Sequence, residues 1–279
     1  MFYENIKREI PIYFDALFKK IFANPDDLEP LKYLIEKILK IETKEIEIIS
    51  PEIVGDNYQE KRSYLDLLVR LSDNKKISIE VNTNPKSYVI DRNLFFLFRV
   101  MGSDIKRGTN YTELNKHYQI NLNTNIKQKK LIMHYYLADI DPKDILTDKL
   151  EIINIDIEKY ANTWYNEKNP SELSKLMGLI GLKDMDKLKY FKGEKGIMKK
   201  IMDKADKFRS DKEVIEVYNY EKMRDEREEM ARIEGIQEGI QEGIQEGIQL
   251  AAKNMKSLNI DIKTISSVTG LSEEKIKKL

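Results

Sequence analysis

Apolar and polar positions alternate most sharply between residues 64 and 82. In Tyr64-Leu65-Asp66-Leu67-Leu68-Val69-Arg70-Leu71 the odd positions are apolar. The same holds in Lys76-Ile77-Ser78-Ile79-Glu80-Val81-Asn82, beyond the polar break Ser72-Asp73-Asn74-Lys75. Two period-2 runs joined by a short polar turn predict a β-hairpin. Side chains two apart on a strand share a face, so Glu80 and Asn82 point the same way, and Asp66 joins them if both strands bury their odd positions. Even positions then pair with even. Asp66 opposite Glu80 is one such register, with Cβ atoms about 4.5–5.5 Å apart.

Other segments carry the helical period. Phe14, Leu17, Phe18, Ile21 and Phe22 predict a first helix with one buried face and Asp15 near its start; Leu31, Leu34, Ile35 and Ile38 predict a second, capped by Asn24 or Asp27. Between Ser87 and Arg107, the set Ile90, Leu94, Leu97, Phe98, Met101 and Ile105 predicts a long amphipathic helix. Phe95, Phe96 and Phe98 are read as core, with Phe96 at its margin, and Arg92, Arg99 and Lys106 form a heptad-spaced stripe away from the core face. Strands are expected at 46–49, 117–122, 131–138 and 150–157, and the chain after 157 reads as helical.

The tail has its own pattern. Glu-Gly-Ile-Gln repeats four times, placing Gly235, Gly239, Gly243 and Gly247 at intervals of four. In a helix this spacing advances about 40° per repeat, so the stripe drifts off any heptad seam, and each glycine costs about 1 kcal/mol relative to alanine. Beyond it, 262–268, Thr269-Gly270 and a helix begun by Ser272 resemble a small helix-turn-helix pair. The expected division is a domain over 1–232 and a tail over 233–279.

Composition narrows the chemistry. A hydrophobic fraction of 41% over 279 residues supports a substantial core. The 48 basic and 48 acidic residues cancel, so a nucleic-acid partner must be gripped by local clusters rather than by a strongly basic overall field. Cysteine is absent and there are two histidines, His117 and His134, both read as structural, which excludes a Cys/His zinc site and a cysteine nucleophile. No apolar run approaches the roughly 20 residues needed to span a bilayer, and the first residues lack a signal pattern, so a cytoplasmic protein without a membrane partner is expected. Carboxylate and metal chemistry remains. Two neighbouring carboxylates on a rigid sheet can hold a hard cation, although an isolated Asp and Glu on a half-exposed sheet do no more than solubilise it.

The order helix, strand, hairpin with Asp then Glu-x-Asn, long helix, strand resembles the core of the PD-(D/E)xK nucleases. The finer match runs through Phe14-Asp15-Ala16-Leu17-Phe18-Lys19-Lys20, Leu65-Asp66, Ile79-Glu80-Val81-Asn82, Arg92-Asn93, Lys106-Arg107-Gly108-Thr109-Asn110-Tyr111 and Ile120-Asn121-Leu122. Over roughly residues 10–225 the chain resembles the PD-(D/E)xK nuclease family transposases, relatives of bacterial recombination-promoting nucleases. The resemblance implies an α/β fold, a restriction-endonuclease-like core with a central mixed sheet flanked by helices, and a helical C-terminal extension. It also implies a Mg2+-dependent DNA endonuclease in which Asp66 and Glu80 bind the ion, Asp15 adds a further acidic ligand, and Asn82 stands where the motif has lysine. An amide there orients water or phosphate without supplying charge. Arg92, Arg99 and Lys106 are the DNA-contact candidates, with a solvated face as the alternative. Self-association is expected through the repeat helix. A nuclease fold that binds DNA or assembles without cutting it is the competing function.

Overall fold

The computed structural model describes residues 10–49, 52–53, 63–64, 66–105, 108, 110–140 and 144–279. Two compact units, 1–218 and 219–279, divide the chain.

The first unit opens with α1 (Asp15–Phe22) and α2 (Glu29–Leu39). Both bury the faces their periodicity predicts: Leu17, Phe18, Ile21 and Phe22 on one, Leu31, Leu34, Ile35 and Ile38 on the other. Pro30 sits in the first turn of α2, where its missing N–H costs nothing, and Lys40 closes the helix in the left-handed region at φ 55°. Strands β1 (Ile46–Ile49), β2 (Glu52–Ile53), β3 (Ser63–Tyr64), β4 (Leu67–Leu71) and β5 (Lys76–Asn82) follow. After the crossover helix α3 (Val89–Gly102) come β6 (His117–Asn123), β7 (Ile132–Tyr135) and β8 (Leu150–Asp156).

Six of these strands form a mixed sheet in the order β1-β4-β5-β6-β8-β7; β2 and β3 pair separately. The predicted hairpin is present. Its turn places Asn74 at φ 65°, a conformation that asparagine tolerates better than most residues. Leu67 pairs with Ile79 and Val69 with Ile77, antiparallel, whereas β5, β6 and β8 run parallel. One sheet face carries Val69, Ile77, Ile79, Ile120, Leu122, Ile153 and Ile155 into the main core with α1 and α2.

The other face is buried too, unlike the half-exposed sheet of the alternative reading. Ser78, Glu80, Asn82, Gln119, Asn121 and Asn123 are all at most 5% exposed. The buried stripe of α3 is Asn93, Leu97 and Val100, while Ile90 and Phe98, expected in the core, are 64% and 54% exposed, and Phe95 is exposed too. The polar sheet explains the rotation. Asn93 finds an amide partner beneath it, whereas Ile90 and Phe98 would not. Apolar periodicity assumes an apolar target, and among the described residues Leu68, Ile49 and Phe96 gather around Val100 in that way.

The first unit is completed by α4 (Ile157–Thr163), α5 (Glu172–Ile180), α6 (Gly196–Phe208) and the start of α7 (Lys212–Ser257). At Gly181 an added Cβ would lie 2.0 Å from the Ile157 carbonyl oxygen, so α5 can end against α4 only with glycine there.

In the second unit the repeat lies within the 46-residue helix α7, and Ile236, Ile240 and Ile244 on it are about half exposed. Helices α8 (Ile262–Thr269) and α9 (Glu273–Lys278) follow. The Asp261 side chain accepts from the Thr264 N–H at 3.0 Å, Gly270 ends α8 at φ 71°, and Ser272 caps α9, the start and stop that the sequence predicts. Ala252, Ile265, Leu271 and Ile276 form their small core. No helix among the described residues is long and apolar enough to cross a membrane.

Candidate active site

Asp66 immediately precedes β4, and carrying the Leu67–Ile79 register one residue further sets it opposite Glu80. Two hydrogen bonds lock the pair. The Asp66 N–H donates to Glu80 Oε1 at 3.2 Å, and the Val81 N–H donates to Asp66 Oδ2 at 2.8 Å. Each carboxylate therefore binds the other strand's backbone, and among the described residues Asp66 Oδ1 has no partner. Asp66 also lines a cleft of about 650 Å³ together with Lys19 and Lys20 of α1.

Burial dominates the electrostatics. It pushes the Glu80 carboxyl up to about 8, with the charge of Asp66 adding to the effect and Arg92 and Lys19 opposing it. Asp66 is raised as well, again chiefly by burial, against the pull of the Val81 N–H, Lys19 and Arg92. A cation held between two carboxyl groups that resist ionising side by side would offset their repulsion.

Arg92 enters from α3. Its Nη2 lies 2.6 Å from Asn82 Oδ1 and 3.7 Å from Glu80 Oε2, so its guanidinium turns into the site rather than continuing a stripe away from it. Asn82 is engaged at both ends, because its Nδ2 donates to Asn123 Oδ1 at 2.9 Å. Arg99 is half-buried with its guanidinium 5.6 Å from the Phe95 ring centre, and Lys106 lies outside the described residues.

Asp15 stands at the exposed start of α1, ion-paired with Lys19 at 2.8 Å. It is near enough to raise the proton affinity of Asp66. Among the described residues no group of three or more His, Cys, Asp or Glu side chains is placed to hold a metal ion. Asp66 and Glu80 are the two carboxylates that the hairpin brings together. Two carboxylates suit Mg2+, which keeps several waters and is commonly held through one or two carboxylates together with substrate phosphates. Burial pushes His117 down to about 3 and its Nε2 meets Ser78 Oγ at 2.8 Å, while His134 pairs with Glu151.

Sequence reasoning missed the amide network behind the site. Asn121 Oδ1 accepts from Asn93 Nδ2 and Gln119 Nε2, both at 3.0 Å, and its Nδ2 donates to Asn154 Oδ1 at 2.7 Å. The signal was present in β6, where Gln119, Asn121 and Asn123 alternate with Ile120 and Leu122. Read alone, that alternation looks like a solvated face.

No curated protein and no solved structure matches the chain. The family described as PD-(D/E)XK nuclease family transposase matches residues 12–234, which takes in both carboxylates, the crossover helix and all six strands of the mixed sheet. The chain belongs to the PD-(D/E)XK nuclease family transposases.

Proposed function

We propose that the chain is a divalent-metal-dependent DNA endonuclease, with Mg2+ as the ion, acting in a transposase-like or recombination-promoting role. The observation that carries this reading is the reciprocal lock between Asp66 and Glu80. It fixes two carboxylates on rigid neighbouring backbone, in surroundings that raise their proton affinity. A bound cation there would polarise the scissile phosphate and lower the pKa of an attacking water.

The chain's own groups supply the rest. Asp66 and Glu80, in their ionised forms, would be the ligands, with Asp15 adding negative charge at the edge. Arg92 offsets the charge of Glu80 and, with 40% of its side chain exposed, presents donors to a phosphate oxygen. Asn82 holds that guanidinium in place. Lys19 brings a second cation to the cleft wall.

A second reading, a nuclease fold that binds DNA or assembles without cutting it, draws on one observation: both ends of the Asn82 amide are already engaged. Incubation of purified protein with supercoiled DNA, in Mg2+ or in chelator, separates the two. Nicking that requires the ion and is abolished by Asp66→Ala and by Glu80→Ala supports the nuclease. Equal nicking by wild type and Asp66→Ala, or binding with no ion-dependent nicking, assigns the chain to the second reading.

A further inference from the structure

A second cavity, about 570 Å³, opens between the first half of α3 and the β6, β8 and β7 part of the sheet. Its polar lining is made of amides. Gln119, 1% exposed, spends Nε2 on Asn121, and its Oε1 is buried with no partner among the described residues. Asn154 spends Oδ1 on Asn121 in the same way, and its Nδ2 has no acceptor among them. A buried acceptor left unmet costs roughly 1–3 kcal/mol, so a ligand that brings a donor to Gln119 Oε1 gains by meeting it.

The walls and rim define the class of ligand. Ile152, Leu94 and the Tyr135 ring supply flat apolar surface, Lys86 and Lys127 line the cavity as exposed cations, and no described lining residue is acidic. An uncharged hydrogen-bonding floor, an aromatic wall and a cationic rim suit a nucleobase joined to phosphate. The volume falls within the roughly 300–1,000 Å³ usual for such ligands. The cavity also adjoins the candidate active site, because Asn123 lines it and accepts from Asn82.

We propose that this cavity takes one unpaired nucleobase of the strand to be cut, next to the scissile phosphate; the proposal rests on the nuclease reading above. Gln119 and Asn154 meet the base edge and Tyr135 stacks on its face. The substrate is then single-stranded DNA or a duplex that yields a base by extrusion, and intact paired DNA is cut only after a base has been unstacked.

The test is equilibrium binding of a fluorescein-labelled single-stranded DNA octamer in chelator, with an abasic site scanned along it. One position should be sensitive, losing roughly tenfold or more in affinity, as expected when base–aromatic stacking is removed. Tyr135→Ala, on the edge strand, should lose as much and make that abasic site silent. Ser87→Trp, which crowds the cavity from an exposed position, should do the same in a chain whose melting temperature is unchanged. No sensitive position, or wild-type binding by both variants, overturns the proposal. A free deoxynucleoside monophosphate that binds as tightly as the octamer overturns the strand assignment. The two readings fail separately: base-dependent binding without ion-dependent cutting sinks the nuclease, and cutting without base dependence sinks the cavity.

Discussion

The Arg92 guanidinium lies 2.6 Å from the Asn82 side-chain oxygen, so a cation from α3 stands over Asn82. On the proposed reading, in which Asn82 takes the place of the motif lysine, the charge would be displaced from strand to helix rather than lost. Arg92→Ala should therefore lower ion-dependent cleavage by roughly ten- to a thousandfold, the range expected for losing one donor aimed at developing charge. Arg92→Lys should recover only part, since an ammonium cannot serve Asn82 and a phosphate with one planar fork. Rates at saturating Mg2+ on supercoiled DNA measure both.

Lysine at position 82 should not raise activity. Asn82 is 3% exposed, and a lysine there would meet Arg92 at close range while leaving Asn123 without its donor. Asn82→Lys is expected to lower the melting temperature and leave cleavage at or below wild type. Arg92→Ala added to Asn82→Lys should recover stability relative to Asn82→Lys alone. A rate increase in the single variant would show that the two cations can share the site.

The raised proton affinity of Glu80 gives metal-free stability a definite pH dependence. Its carboxyl is held near 8 in the folded chain against 4.5 ordinarily, so between these values the folded state keeps a proton that the unfolded state has released. Stability is fully present below the lower value and falls as pH rises through the upper one. Glu80→Gln should flatten that fall and melt higher than wild type at about pH 9 in chelator. Added Mg2+ should raise the wild-type melting temperature at high pH and leave Glu80→Gln nearly unchanged, because only the ionised pair gains from the ion. Identical pH profiles for the two proteins would show that Glu80 ionises normally.

Asn121 is the hub of the buried amides. Replacing it with leucine strands Asn93 Nδ2, Gln119 Nε2 and Asn154 Oδ1. Each stranded group costs roughly 1–3 kcal/mol. Denaturant unfolding of Asn121→Leu should show one of the largest losses of any single substitution in the sheet. A loss below about 1 kcal/mol would mean that water replaces the partners.

The repeat has room to be stabilised. An added Cβ at Gly235, Gly239, Gly243 or Gly247 meets nothing within 4 Å, so alanine at each should strengthen α7 by about 1 kcal/mol. Self-association through the half-exposed isoleucines predicts that deleting residues 233–279 lowers the mass measured by light scattering and leaves the first unit folded. A large drop in the melting temperature of a chain that is monomeric throughout would place the tail in the core instead.

Local pattern was sufficient for much of this protein. The Asp66 to Asn82 hairpin, its even-to-even register, the buried faces of α1 and α2, the Gly270 stop and the Ser272 cap follow from period, turn chemistry and capping, whereas α2 starts after Leu28 without the side-chain cap expected from Asn24 or Asp27. The identity of the carboxylate pair follows too, because a two-residue period sets which side chains share a face. What lay beyond the sequence depends on which surface meets which. A helix reveals its apolar stripe but not the polarity of its target. Asn93 therefore took the buried row, Ile90 and Phe98 were left outside, and Arg92 swung from a supposed solvent stripe onto Asn82 and Glu80. The amides of β6 are buried because α3 covers them. Under that cover Glu80 becomes hard to ionise, because burial and the Asp66 charge act through space and leave no periodic trace in the chain.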